Sequence, residues 1–386
     1  DIQERINELN KAAAEATKAK RLKEAIEQAK DMPTDEALLL MSGTIKSLND
    51  IKTKERYSSL LSHSTEERLA NRMKHKQGEI VTNYTFKHPS TFEEEQLTLP
   101  GGAITFVVAP TSHGKSTMLQ NLALQVANNS EEGTTLYFTF EEEGDNVTLQ
   151  MLNKYIGEPI SQNNLRSITH YFRTGEEKYI LRDKVAIFKQ KKALFMEHLY
   201  SSGKLRIYYE DYDSTELIEA IRYISSQTRV KAVFIDYIQL LSKNGNRKQR
   251  TEELKDICKD LKDLAIATQL PIIVAAQANR EVISPLEMHS QKIAEAADLE
   301  RIANKILFLW NSSFSAQKSK DSKAEIEGFE SRTGIKLGTS GSIYAKLTKN
   351  RGGIVGLEAI LKHNGNTGII EANHKESKSS DMEIVF

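Results

Sequence analysis

The chain has 386 residues, of which 39% are hydrophobic and 27% charged, a composition typical of globular proteins with one large or two ordinary domains. Lysine plus arginine equals aspartate plus glutamate at 53 each, so a nucleic-acid site requires local clusters of cations. A single cysteine, Cys258, excludes an internal disulfide framework, and the sequence contains neither a long apolar run nor a signal segment. These features predict a cytoplasmic protein (host cytoplasm, if a phage encodes it) without a membrane partner.

The first 31 residues predict a long amphipathic helix, because apolar residues recur with helical spacing from Ile2 to Ala29 among good helix formers. Pro33 ends this helix, and a capping pattern at Ser64 predicts the start of another. The pattern leaves two interpretations open: a bundle packed within its own domain, or an arm that docks on a neighbouring subunit. Residues 1–78 are therefore predicted to form a helical N-terminal region that precedes an ATPase domain over residues 79–386.

From residue 79 onward, short apolar and β-branched runs alternate with helical patterns, which predicts an α/β fold with a mostly parallel sheet and helices on both faces. Two further strands are expected at Ser342–Leu347 and Ile354–Leu361. Residues 311–341 are rich in Ser, Lys, Glu and Gly and predict a long mobile loop. The candidate parallel strands are Ala103–Ala109, Thr135–Phe140, Leu205–Tyr209, Ala232–Asp236, Pro271–Ala276 and Lys305–Trp310.

A Gly-Lys-Ser triplet at Gly114 follows the first of these strands and precedes a good helix, Met118–Ala127, which is the context that a P-loop requires. Backbone amides around Gly114 and the positive end of the helix dipole can hold the β-phosphate of a nucleotide. Lys115 would reach the β and γ oxygens, and the Ser116 hydroxyl would bind Mg²⁺. The candidate nucleotide-binding residues are Thr111, Ser112, His113, Gly114, Lys115, Ser116 and Thr117.

Two acidic positions suit hydrolysis of that nucleotide. Asp236 ends an apolar strand, so its carboxylate faces the crevice where ligands bind and can orient a water on the metal ion. Glu141 is the first acid after the strand Thr135–Phe140 and is the candidate for activating the attacking water. Glu142 and Glu143 remain alternatives, because strand ends read from sequence are uncertain by a few residues.

Four segments carry a family resemblance. Asp236–Leu241 reads D-Y-I-Q-L-L, Pro271–Arg280 reads P-I-I-V-A-A-Q-A-N-R, Phe138–Glu142 reads F-T-F-E-E, and a K-N-R triplet begins at Lys349. These segments, together with Ala109-x₄-Gly-Lys, occur in the order found in DnaB-type replicative helicases, the RecA-like hexameric ring motors, and the chain resembles that family over residues 79–362. Residues 1–77 carry no motif of the family.

The resemblance implies a RecA-like P-loop fold that uses ATP, or another nucleoside triphosphate, with Mg²⁺. It implies that Gln277 senses the γ-phosphate, and that Lys349 and Arg351 act on the nucleotide of a neighbouring subunit. ATP sites at subunit interfaces imply a homo-oligomer, expected to be a hexamer, and favour the docking-arm interpretation of the N-terminal helix. A primase or a helicase loader is an expected partner.

Two loops are expected to bind single-stranded DNA, because in RecA-like motors such loops line the central channel. The first loop, Ser242–Thr251, carries four cations and no acid or aromatic residue, which predicts contacts to the phosphate backbone. In the loop Glu281–Asp298, the family's R-E-S-G stretch is replaced by Ala294–Ala297, and Lys292 is the candidate for the missing charge. The candidate DNA-binding residues are Lys243, Arg247, Lys248, Arg250, Lys292 and Glu295.

The function predicted from these motifs is an ATP-dependent replicative helicase, a ring that tracks single-stranded DNA (5′ to 3′, by the resemblance) and unwinds duplex. Two alternatives stay open: a RecA-like DNA-binding ATPase without unwinding activity, such as a recombinase or loader, and a non-DNA regulatory ATPase ring of the KaiC kind.

Overall fold

The computed structural model describes residues 20, 23–30, 78–130, 132–242, 250–279, 282–289, 292–293, 297–315 and 323–372. The chain divides into two compact units, Asp1–His75 and Lys76–Phe386. In the first unit, residues 23–29 are helical, inside the segment for which a helix was predicted. The other helices predicted for this unit lie outside the described residues.

Among the described residues, the second unit contains one 11-stranded sheet in the order β2-β1-β10-β9-β8-β3-β7-β6-β4-β5, with β11 paired to β10. The six strands from β8 to β5 in that order are parallel, and the remaining pairs are antiparallel. The strands are β1 Ile80–Lys87, β2 Glu94–Leu99, β3 Ile104–Ala109, β4 Thr134–Thr139, β5 Leu205–Tyr208, β6 Val230–Asp236, β7 Ile272–Gln277, β8 Lys305–Asn311, β9 Ser342–Asn350, β10 Glu358–His363 and β11 Ile370–Ala372.

Helices cover both faces of this sheet. On β3, Val107 belongs to the apolar core on one face, whereas Phe106 and Val108 belong to the core on the other. The first core includes α1 to α4, and the second includes α5 and α6. The α/β fold with a mostly parallel central sheet is therefore confirmed. The helices are α1 Lys115–Asn128, α2 Gly144–Ile156, α3 Asn164–Thr174, α4 Val185–Leu194, α5 Ser214–Gln227, α6 Arg250–Thr268, α7 Ala297–Ile302 and α8 Lys323–Thr333.

All six predicted parallel strands are present, with ends that differ by at most two residues from the predicted ones. The predicted terminal pair is also present as the antiparallel strands β9 and β10, although β10 begins at Glu358 because Gly352 and Gly356 occupy a turn with positive φ. Three strands, β1, β2 and β11, were not predicted from the sequence. In β1 the buried Thr82, Tyr84 and Phe86 alternate with polar residues, so no continuous apolar run marks it.

The prediction that residues 311–341 form a mobile loop is wrong over part of that range. Residues 323–333 form the helix α8, which packs through the buried Phe329 against Tyr344 of β9, with ring centroids 4.9 Å apart. Arg332 forms an ion pair with Glu358 of β10. Because Phe329 is the buried residue that α8 contributes, the sequence carries no apolar stripe to indicate a helix. No helix in the described part of the chain is long and apolar enough to cross a bilayer.

Candidate nucleotide-binding site

The predicted site residues lie at the ends of four neighbouring parallel strands. Ala109 at the end of β3 pairs with Gln277 at the end of β7, and Thr139 at the end of β4 pairs with Asp236 at the end of β6. These strand ends therefore share one edge of the sheet. Ligands of open parallel sheets bind at this edge, outside the carboxyl ends of the strands.

The P-loop connects β3 to α1 and places the helix start at that edge. Gly114 immediately precedes α1 with φ 90° and ψ 18°, a left-handed conformation that glycine adopts without steric penalty. A Cβ atom at this position would also lie 3.2 Å from Cδ1 of Ile343. Because Gly114 has no side chain to cap the helix, the backbone N–H groups of the first turn of α1 can donate hydrogen bonds to an anion.

Lys115 brings three of the predicted groups together. Its Nζ lies 3.2 Å from Oδ1 of Asp236, 3.6 Å from Oε2 of Glu141 and 3.4 Å from Oγ of Ser116. The same nitrogen lies 4.2 Å from the centroid of the Tyr237 ring. The ammonium group thus sits among oxygen atoms and an aromatic face, a setting that stabilises its positive charge.

The second carboxylate oxygen of Asp236, Oδ2, is also hydrogen-bonded. The buried Tyr137 donates its hydroxyl hydrogen to Oδ2 of Asp236 at 2.9 Å. Burial raises the pKa of Tyr137 well above its usual value, and the neighbouring Asp236 carboxylate adds to that shift. Tyr137 therefore remains a donor at neutral pH. A carboxylate fixed in this way beside a serine hydroxyl is a suitable pair of hard oxygen ligands for Mg²⁺, which needs few protein ligands when phosphates supply others.

The three consecutive glutamates have different surroundings. Glu141 is the one whose carboxylate contacts Lys115, and its side chain is about half exposed. Glu142 accepts a hydrogen bond from Nε2 of Gln150 at 2.5 Å, while Glu143 is the residue preceding α2. This arrangement favours Glu141 over its two neighbours as the group that faces the nucleotide.

A chain of hydrogen bonds leads away from the P-loop. Gln277 donates from Nε2 to Oγ1 of Thr111 at 2.8 Å, and its backbone N–H donates to Oε1 of Gln239 at 3.2 Å. The carbonyl of Gln239 in turn accepts from Nη2 of Arg250 at 2.7 Å. Gln239 was not among the predicted site residues, although it lies inside the D-Y-I-Q-L-L segment. The P-loop is thus linked to the start of α6.

The predicted DNA-binding residues are only partly described. Lys243, Arg247, Lys248 and Glu295 lie outside the described residues. The guanidinium of Arg250 also pairs with Glu253 at 2.7 Å, so a phosphate would compete with protein partners already in place.

The described part of the loop Glu281–Asp298 is packed against the protein. Val282, Met288 and Ile293 are buried, and the carbonyl of the partly buried Lys292 accepts a hydrogen bond from the backbone N–H of Asn279 at 2.8 Å.

Lys349 and Arg351 lie at the edge of the sheet opposite the P-loop, beside the amino ends of the parallel strands. The end of β9 runs antiparallel to the start of β8, where Lys349 pairs with Ile306. Lys349 donates to the carbonyl of Glu300, and Nη2 of Arg351 donates to the carbonyl of Arg301 at 2.8 Å. Burial lowers the pKa of Lys349, and the charge of Arg351 adds to this shift. Within one subunit, these two cations are therefore not brought to the P-loop.

His113, one of the candidate nucleotide-binding residues, packs in an aromatic group with Phe314 and Trp310 that the sequence did not predict. The His113 ring stacks on Phe314 at 4.2 Å and meets Trp310 edge-on at 4.5 Å, and its Nδ1 lies 2.8 Å from the carbonyl of Thr111. Burial lowers the pKa of His113, with the Thr111 hydrogen bond opposing the shift. These residues and Gln277 line a cavity of about 270 Å³.

Comparison with known proteins adds a family match. Residues 91–366 match the family model described as DnaB-like helicase C terminal domain. The replicative DNA helicase DnaB of Helicobacter pylori is 27% identical over 301 residues, which is 73% of this chain and 56% of the relative. The replicative DNA helicase DnaC of Bacillus subtilis is 25% identical over 233 residues, which is 58% of this chain and 46% of the relative. The chain spans about half the length of the curated relatives it matches.

Two solved structures share the fold. One is an isolated ATPase domain, which aligns with a TM-score of 0.55 and 17% identity over 70% of this chain and 84% of that one. The other, described as the structure of a DnaB-like replicative helicase and its interactions with primase, aligns with a TM-score of 0.62 and 15% identity over 96% of this chain and 78% of that one.

Proposed function

The chain belongs to the DnaB-like helicase C-terminal domain family, and we propose that it is the motor of an ATP-dependent replicative DNA helicase. In this proposal a ring of subunits tracks single-stranded DNA, 5′ to 3′, and unwinds duplex. The observation that carries the proposal is the meeting of Lys115, Glu141 and Asp236 at the carboxyl edge of the sheet.

ATP is the proposed nucleotide, held by residues Thr111 to Thr117. Phosphate oxygens would replace the carboxylates as partners of Lys115, because a triphosphate carries more charge than either acid. Ser116 and Asp236 would hold Mg²⁺, which, when bound, neutralises charge on the phosphate oxygens. Glu141 would accept the proton of the attacking water.

Gln277 is proposed to transmit the state of the nucleotide to the DNA loops. Its side chain is bonded to Thr111 of the P-loop, and its backbone is bonded to Gln239, which contacts Arg250. A change at the γ-phosphate that moved Gln277 would therefore disturb the base of the first DNA loop. Single-stranded DNA is the proposed ligand of that loop.

We propose a ring because the P-loop and the two cations that would complete its hydrolysis site lie far apart within one subunit. Lys349 and Arg351 lie at the edge opposite the P-loop, where they can serve the nucleotide of a neighbouring copy. We propose a hexamer by likeness to the family. The solved helicase that is described with its primase interactions makes primase a proposed partner, and a helicase loader is another.

The test is strand displacement of a forked DNA by the full chain and by its Lys115→Ala variant. We expect the variant to lose unwinding and its ATP turnover to fall by more than about 100-fold, because the ammonium group that contacts the transferred phosphate is removed. The variant should still form rings. The exposed Lys336→Ala serves as the matched control and should behave like the wild type. Unwinding retained by Lys115→Ala would refute the proposal.

DNA-stimulated ATP turnover by the wild type, without strand displacement, would favour the recombinase or loader alternative. Absence of DNA binding would favour the regulatory ring.

A further inference from the structure

A second surface of the motor unit carries features of a ligand site. The helix α3, which lies between β4 and β5 in the sequence, and the residues that follow it line an open concavity of about 470 Å³. We call this region the α3 surface. Its lining residues are Asn163, Leu165, Arg166, Thr169, His170, Arg173 and Tyr179.

The α3 surface, which includes Arg166 and Arg173, lies in a basic segment of a chain whose net charge is zero. Between residues 163 and 192 the sequence has eight lysine and arginine residues and three acids. Glu177 pairs with Lys189 at 2.5 Å, and Glu176 lies 3.6 Å from Nε2 of His170. Among the described residues, no carboxylate forms an ion pair with Arg166 or Arg173. The surface therefore has positive charge available for an anion.

An exposed aromatic ring lies among these cations. Tyr179 is 42% exposed, and the guanidinium carbon of Arg166 and Nζ of Lys178 lie 5.7 Å and 5.5 Å from its ring centroid. The His170 ring contacts it edge-on at 4.7 Å. Ser167 of α3 donates a hydrogen bond to the carbonyl of Tyr179 at 3.3 Å, so the backbone that carries the ring is attached to the helix. An aromatic face held beside cations can stack a nucleobase.

The spacing of the arginines suits an extended polyanion. Arg166 and Arg173 are seven residues apart on one helix, so their attachment points are separated by about 10 Å along its axis. Each can contact a different phosphate of one strand, with Tyr179 beside them. An acidic peptide would use the cations but would leave the aromatic ring without a planar partner.

We propose that the α3 surface binds single-stranded nucleic acid, with phosphates on Arg166 and Arg173 and a base stacked on Tyr179. This site is separate in sequence from the two predicted DNA loops and does not depend on unwinding activity. It would hold a stretch of single strand in addition to the one that the loops bind. Affinity there would come from phosphate charge and stacking, without reading of base sequence.

The test measures binding of fluorescein-labelled dT20 to the full chain by anisotropy over a range of salt concentrations. In the Arg166→Glu/Arg173→Glu variant we expect affinity to fall by about tenfold or more and the slope of log affinity against log salt to decrease by about 1.4, because two phosphate contacts are lost. The Arg222→Glu/Arg229→Glu variant has the same change in charge at exposed positions elsewhere and should bind like the wild type.

Tyr179→Ala separates stacking from charge. We expect it to lose about tenfold in affinity while the salt slope stays unchanged, because a base contact is lost and no phosphate contact is. ATP turnover without DNA should be the same in all these variants and the wild type, so a failure of the helicase proposal would be seen separately. The expected pattern of affinity and slope supports the site whether or not the protein unwinds DNA.

Three outcomes would overturn the inference. The first is equal binding of dT20 by the Arg166/Arg173 variant and its control. The second is competition by a poly-glutamate 20-mer that is as effective as unlabelled dT20, which would indicate an acidic protein partner. The third is loss of ring assembly in the variant, measured by light scattering, which would make the α3 surface a contact between copies.

Discussion

At the scale of single residues, Lys115 and Asp236 form a largely buried ion pair in the nucleotide site. The Lys115 side chain is 12% exposed and that of Asp236 is 5% exposed, so both charges are largely removed from water. Such a pair persists because mutual attraction and hydrogen bonds offset the loss of hydration. A triphosphate offers Lys115 more negative charge than Asp236 does, and exchange of partners is therefore favourable.

Glu141→Gln tests the residue assigned to water activation. Because an amide cannot accept the proton, we expect ATP turnover to fall by about 100-fold or more while binding of a fluorescent ATP analogue is retained. Glu143→Gln is the matched control, because Glu143 precedes α2 and is exposed. A larger loss in Glu142→Gln or Glu143→Gln than in Glu141→Gln would transfer the role to that residue.

His113 makes stability depend on pH. Its pKa is lowered by burial in the folded protein, whereas the unfolded chain has the usual value of about 6.5. Below that pH the unfolded state binds a proton that the folded state does not, so the free energy of unfolding should decrease as pH falls from 6.5.

His113→Phe retains an aromatic ring, and its urea midpoint should change less between pH 7 and pH 5 than that of the wild type. The exposed His198→Phe is the control, and the same pH dependence in both variants would contradict this explanation.

At the scale of elements, β9 runs from the edge of the sheet that carries the P-loop to the edge that carries Lys349. Near its start, Cδ1 of Ile343 lies against Gly114 of the P-loop, and near its end Lys349 lies at the opposite edge. The same strand carries Tyr344, on which α8 packs. A displacement of β9 along its axis would therefore affect both the nucleotide site and the cations proposed to act on a neighbour.

Phe329→Ala tests how α8 is held on β9. Removal of a buried phenylalanine side chain should destabilise the helix by about 3 kcal/mol, because the ring loses its contact with Tyr344 and leaves a cavity. Hydrogen exchange should become faster in the amides of Lys323–Thr333 before those of the central strands. Phe92→Ala, at a ring that is 68% exposed, is the control and should leave exchange unchanged. Unchanged exchange in Phe329→Ala would show that α8 does not depend on this contact.

At the scale of the whole molecule, the P-loop and the Lys349–Arg351 pair occupy opposite edges of one sheet. A rigid subunit cannot bring them to the same nucleotide, whereas a head-to-tail arrangement of copies can. The geometry thus supports the proposal that hydrolysis requires a second subunit.

Arg351→Ala should reduce ATP turnover by about 1,000-fold and leave nucleotide binding intact, because an arginine that acts in trans stabilises only the transition state. Mixing Arg351→Ala with Glu141→Gln subunits should restore part of the activity, since some interfaces then combine an intact Glu141 with an intact Arg351. Lys362→Ala, an exposed cation on the neighbouring strand β10, is the control. Normal turnover by Arg351→Ala alone would refute the trans assignment.

The features that depend on local pattern could be predicted from the sequence alone. The six parallel strands are short apolar runs, and Gly114, Lys115 and Asp236 stand at their ends in an order that requires no knowledge of the fold. The elements that the sequence did not reveal lack a continuous apolar run. β1 pairs mainly with β2, its neighbour in sequence, and joins the rest of the sheet through β10, while α8 packs through one buried ring.

Which residues contact one another became known from the folded chain. It brought Gln239 to Gln277 and stacked Phe314 on His113, because neighbouring strand ends are far apart in sequence. It also assigned Lys349 and the P-loop to opposite edges, since strand direction is a property of the assembled sheet. Local patterns specify strands and turns, whereas contacts between them follow from the order in which the strands pair.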